Sequence, residues 1–180
     1  MSDPAAAGVR RFWFDEHAKD WFVKNLAFDA EVRRRFLALH EAASAGRLAY
    51  WADDARSCLA LVIVLDQFPR NMFRAEPRAF ATDSLARAAA RVILERGWDQ
   101  QMTQPEQLFA YLPFEHSESL ADQDLACELM KGFDAEQLRY ATRHREIIAR
   151  FGRFPHRNGL LGRESTAAEI KFLKQPGSGF

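Results

Sequence analysis

Between Ala55 and Phe68 the chain is apolar almost all round, and from Cys58 to Leu65 it is apolar at every position. Val62, Ile63 and Val64 would suit a strand, but the segment neither alternates nor contains a turn, so its length favours a helix. A helix without a polar face must be covered on all sides. This one element therefore sets the architecture: a buried central helix, with other helices laid around it.

The rest of the sequence supplies those helices. Phe28, Val32, Phe36, Leu39 and Ala43 form a stripe at three- and four-residue spacing, with Asp29 near the expected N-cap and Gly46 as the stop. Leu85, Ala88, Ala89, Val92 and Ile93 form a second stripe ended by Gly97, and Ala121, Leu125, Leu129 and Phe133 a third. Leu138, Ala141, Ile148 and Phe151 form a fourth, ended by Gly152. Thr103-Gln104-Pro105-Glu106 and Thr166-Ala167-Ala168-Glu169 match the capping box that opens a helix. No strand pair is signalled elsewhere. The expectation is seven or more helices in an all-α fold of antiparallel neighbours, one domain over residues 1–175, with 176–180 a flexible tail.

Composition narrows the function classes. Twenty-five basic and 25 acidic residues cancel, which gives no global attraction for nucleic acid or an anionic membrane. The longest apolar run falls far short of the roughly 20 residues that span a bilayer. The N-terminus lacks the basic and apolar regions of a signal peptide, so a cytoplasmic protein is expected. Cys58 and Cys127, far apart and among apolar neighbours, read as reduced thiols. Charge is segregated in one place: residues 115–136 carry a net −6 and residues 139–163 a net +6. Adjacent blocks that cancel are expected to pack on each other.

Two short strings carry the most chemistry, Phe68-Pro69-Arg70-Asn71 and Phe154-Pro155-His156-Arg157-Asn158. Proline fixes its own φ and pushes the residue before it out of the helical region, so a helix should stop at each. The corners they form are rich in donors, suited either to gripping an anion or to locking helices together. Asp66, at the end of the central helix, needs a partner, and Arg70 four positions on is the nearest. Arg153, His156, Arg157, Asn158 and Arg163 surround an Asn-Gly turn, where guanidinium forks suit carboxylate or phosphate.

A third corner follows Pro113, where Glu115, His116, Ser117 and Glu118 gather; the serines are expected to cap the next helix, and His116 is a candidate acid or base. His144 lies on an apolar stripe, where a satisfied core histidine is expected. No metal-ligand spacing, phosphate loop, dinucleotide fingerprint or nucleophile elbow is present, so neither metal nor cofactor is expected.

Leu65 to Arg74, His116-Ser117-Glu118 and Phe151 to Asn158, together with Phe12-Trp13-Phe14 and Trp21-Phe22, resemble the signatures of a bacterial family known as domain of unknown function 924. The resemblance covers about Val9 to Leu173. It implies an all-helical, tetratricopeptide-like superhelical arrangement and no assigned activity. It also implies an apolar residue where Glu115 stands, which makes His116 the stronger candidate of the two.

Three readings remain open. In the first, Arg70, Asn71, Arg157 and Asn158 grip a small anionic metabolite or peptide carboxylate, with His116 and His156 at the edge. In the second, a small hydrolase or transferase uses His116 or His156 as acid/base, Asp66 or Glu118 as orienting carboxylate and arginines as anion stabilisers. In the third, the motifs only staple helices and function lies on another surface. Oligomeric state is not legible.

Overall fold

The computed structural model describes residues 3–179, and among these there are eight α-helices and no strand. The chain gathers into two compact units, residues 1–113 and 114–180.

In the first unit α3 (Ala55–Met72) is the expected central helix. From Ser57 to Pro69 every residue is buried. It is flanked by α1 (Pro4–Arg10), α2 (Leu26–Ser44) and α4 (Asp83–Glu95), all of which pack on it. Asp54 caps α3 by accepting from the N–H groups of Arg56 and Ser57 at 3.1 and 3.2 Å. Alanines let α4 approach closely, with Ala86, Ala89 and Ala90 at 5% exposure or less. The other side of the unit is aromatic. Phe12, Trp13, Phe28, Phe36, Phe68 and Phe109 are buried and meet largely edge-to-face, as Trp13 does Phe109 at 5.3 Å between ring centroids.

The segment joining α1 to α2 begins as a π-helix, Arg11–Glu16. Its i→i+5 bonding widens the turn, so successive residues rotate less and share a broader face. Phe12 and Trp13 can therefore both be fully buried while Phe14 stays half-buried beside them.

In the second unit α6 (Leu120–Met130) packs on α7 (Ala135–Phe151), and α8 (Ala167–Leu173) packs on the short 3-10 turn Pro155–Arg157. The opposed charge blocks meet as expected: Arg145 Nε donates to Asp124 Oδ1 at 2.5 Å, and Arg163 to Glu118. Arg143 donates to the carbonyls of Pro176 and Gly177 at 3.1 and 2.5 Å, where the tail was expected to begin; Phe180 lies outside the described residues.

Gly46, Gly97 and Gly152 all lie just past a helix end with φ between 63° and 75°, the role the sequence assigns them. Three local expectations fail. Asp29 does not cap α2; Asn25 does, and Asp29 lies inside the first turn, buried. Pro69 does not end α3, which continues to Met72. Proline at 69 deprives the Leu65 carbonyl of its i+4 donor, and the Thr82 hydroxyl supplies the missing bond at 2.6 Å. Pro113 lies within the last turn of α5 (Gln104–Glu115), which ends two residues later at the expected third corner. Neither serine caps α6. Ser119 holds the N-cap position without a side-chain bond, while the Ser117 hydroxyl donates to Asp122 at 2.7 Å.

Among the described residues no helix is long and apolar enough to cross a membrane. Cys58 and Cys127 are free thiols, and burial pushes Cys58 up to about 12.

Candidate functional site

The first corner belongs to the first unit. Asp66, with no exposed surface, accepts from Gln67 Nε2 at 2.5 Å and faces Arg70 Nη1 at 3.3 Å. The expected Asp66–Arg70 pair is therefore present, but the main partner of Arg70 is Asp83, reached through both terminal nitrogens at 2.9 and 3.1 Å. The same guanidinium donates to the Asp66 carbonyl at 2.6 Å. Asn71 Nδ2 donates to Asp29 at 2.8 Å, and Arg74 forks onto that carboxylate at 2.7 and 2.8 Å. Through these bonds the end of α3 is fastened to α2 on one side and α4 on the other.

The second corner follows α7, whose last turn is closed by Gly152 in the left-handed region. Glu118 is the hub here. It accepts from the Phe154 N–H at 2.8 Å and from both terminal nitrogens of Arg163 at 2.8 and 3.0 Å. Burial works against its charge, yet Arg163 and the Phe154 N–H outweigh burial and hold the carboxyl below its ordinary value. Asn158 is fully buried; it donates to Ser165 Oγ and accepts from Arg163 Nε, both at 3.0 Å. Arg153 forks onto Glu169 at 2.7 and 2.9 Å. Glu169 also completes the predicted capping box with Thr166, and the Arg153 guanidinium with the Thr166 N–H brings it down to about 2. Arg157 stacks over the Phe154 ring at 4.5 Å.

The same unit gathers His116, His144 and His156. Burial pushes His144 down to about 3, so its imidazole is neutral at pH 7. Nδ1 lies 2.9 Å from the Tyr140 carbonyl and 3.0 Å from Glu115 Oε1, two acceptors that assign the proton to that nitrogen. The core role expected of His144 holds, though Glu115 is a partner the sequence did not indicate. His156, half-buried with its ring 5.6 Å from that of Phe154, is brought down to about 4 by burial and the charge of Arg157. His116 is close enough that its own charge would oppose protonation of both. His116, His156 and Glu118 of the expected site thus share one unit with Arg153, Arg157, Asn158 and Arg163. Asp66, Arg70 and Asn71 belong to the other. Among the described residues no group of carboxylate, histidine and cysteine side chains is arranged to hold a metal ion.

Sequence reasoning missed an opening in the first unit. A groove of about 790 Å³ runs beside the π-helix, between the start of α3 and the start of α5. Phe14, Trp21 and Trp98 give it half-buried aromatic walls. Arg10 lines it with its guanidinium on Glu106, and its Nε is buried without a partner among the described residues. Arg56 and Asp15 also line it, exposed and in no ion pair among the described residues. The aromatic run Phe12-Trp13-Phe14 is visible in the sequence; the widened turn that aims Phe14 at the groove is not.

The fold is shared with a solved structure described as "Structure of Protein of Unknown Function ATU0120 from Agrobacterium tumefaciens". The two chains are 44% identical and superpose with a TM-score of 0.91, over 94% of this chain and 97% of that one. No curated protein matches the chain. The model of a family described as "Bacterial protein of unknown function (DUF924)" matches residues 9–177, which takes in all three polar corners and every lining residue of the groove but Ala7, and the chain belongs to that family.

Proposed function

We propose that this protein is a ligand-binding domain in which the two Phe-Pro corners are clamps and the binding surface is the groove beside the π-helix. One observation carries the reading: of the four arginines expected at an anion site, Arg70, Arg153 and Arg163 are each forked onto a carboxylate of the chain itself, and Arg157 is stacked on Phe154. A ligand anion at Arg70, Arg153 or Arg163 would have to displace a bidentate carboxylate of the chain itself, Asp83, Glu169 or Glu118. The groove asks for no such exchange, and its volume falls within the roughly 300–1,000 Å³ of small-molecule sites. Acid–base catalysis draws less support: of its two candidate histidines, His116 and His156, the latter near 4 lies far from the pH at which it would have to trade protons, and Glu118 is committed to Arg163.

Thermal unfolding across a panel of carboxylates, phosphates and short peptides tests this. A ligand at a hundred times its dissociation constant stabilises by about 2.7 kcal/mol, or roughly 5–10 °C for a chain of this size. Arg163→Gln should unfold at a lower temperature yet keep the ligand-induced rise. Ala18→Trp, which fills the groove from an exposed position, should abolish that rise. The reverse pattern would return the site to the corners.

A further inference from the structure

We propose that the groove of the first unit takes a short peptide that carries an aromatic side chain and free charged ends. This rests on the reading of the groove as the binding surface. Its lining is chemically divided. Phe14, Trp21 and Trp98 present ring faces and edges at half-buried positions, where a flat apolar group gains contact area without strain.

Of the charged groups, Glu106 is held by Arg10 and Arg11 pairs with Glu16 at 3.2 Å, so these are largely neutralised within the protein. That leaves one cation and one anion in no ion pair among the described residues, Arg56 and Asp15. A ligand complementary to this lining brings a carboxylate for Arg56 and an ammonium for Asp15. A simple anion would meet Arg56 but would be repelled by Asp15, and a simple cation the reverse. The volume of about 790 Å³ exceeds what one amino acid fills and suits two to four residues.

Calorimetric titration of the full chain with Gly-Trp-Gly tests this, with its N-acetylated and C-amidated forms, Gly-Ala-Gly and free tryptophan as the other arms. Gly-Trp-Gly should bind, and Gly-Ala-Gly should bind at least about tenfold more weakly, the scale of one lost aromatic anchor. Blocking either end should weaken binding about fivefold, since these are exposed charge pairs. The two effects should separate by variant. Asp15→Asn should become indifferent to acetylation, and Arg56→Gln to amidation; both side chains are exposed, so both variants keep the fold. Peptide binding that ignores the ring and both ends would overturn the proposal while leaving the groove as a site. Free tryptophan binding as tightly as the tripeptide would overturn the peptide in favour of the free amino acid. Peptide binding untouched by Ala18→Trp would instead sink the assignment of the groove on which the proposal stands.

Discussion

Phe68-Pro69-Arg70-Asn71 completes a helix, whereas Phe154-Pro155-His156-Arg157-Asn158 follows one that has already ended at Gly152. The residue types nearly repeat, yet one proline lies inside α3 and the other opens a 3-10 turn. The difference comes from the surroundings. Before Phe68 stand Asp66 and Gln67, which continue a helix, and the carbonyl freed by Pro69 finds the Thr82 hydroxyl. Before Phe154 stands Gly152 at φ 69°, which terminates α7 before the proline can matter. Both corners nevertheless hold arginines forked onto carboxylates that belong to another helix or to the loop beside one. In the first the fork is made by Arg70 of the motif itself; in the second it is made by Arg153 and Arg163, which flank the motif, while Arg157 stacks on Phe154.

The sharpest way to break this comparison is to remove the clamp cation from the drier corner. Arg70→Ala takes the Arg70 guanidinium away from Asp66, which has no exposed surface, and from Asp83, at 8%. Breaking a buried pair from one side costs about 3–5 kcal/mol. Urea unfolding should show that loss, and Asp66→Asn with Asp83→Asn in the same chain should recover part of it. A loss below about 1 kcal/mol would remove the clamp reading from the first corner.

Acid separates the corners next. The second is packed around neutral histidines with depressed values, His144 near 3 and His156 near 4, against about 6.5 in the unfolded chain. The unfolded state binds more protons between those limits, so stability is full above about pH 6.5 and falls as the pH drops toward 4. At these values each histidine loses about 2.5 kcal/mol at pH 4.5 relative to pH 7, so the two together lose on the order of 5 kcal/mol. His40, lowered by burial in the first unit, adds to it with the same sign. Glu169, brought to about 2 by Arg153, keeps its contribution through this window. His144→Gln should flatten the pH 6.5–4.5 slope by its share; an unchanged slope would assign the effect to His156 and His40.

What could be read in advance follows a physical line. The central helix, the glycine stops and the Thr166 capping box depend on residues close in sequence, and all were legible. So was the Asp66–Arg70 pair, four positions apart. Asp83, Asp29 and Glu169 as clamp partners lie 13, 42 and 16 positions from Arg70, Asn71 and Arg153, and nothing local announces them. The charge blocks predicted that residues 115–136 and 139–163 would meet, without saying that Glu118 would choose Arg163. The groove was out of reach for another reason. It depends on a π-helix, and no local propensity separates that turn from an ordinary α-helix through Arg11–Glu16.

The smallest effect is also the most specific, because it asks why a proline is tolerated inside α3 at all. If the Thr82 hydroxyl stands in for the N–H that Pro69 lacks, Thr82→Val leaves the buried Leu65 carbonyl without a donor. Valine keeps the shape and removes the bond, so the cost should be about 1–2 kcal/mol. Pro69→Ala restores an N–H directly beneath that carbonyl, and in the Thr82→Val background it should recover most of the loss. In the wild-type background the same change should do little, since the acceptor is already satisfied, which gives a coupling of about 1 kcal/mol in a double-mutant cycle. Strict additivity would mean that Thr82 does not compensate for the proline. The divergence of the two corners would then rest on Gly152 alone.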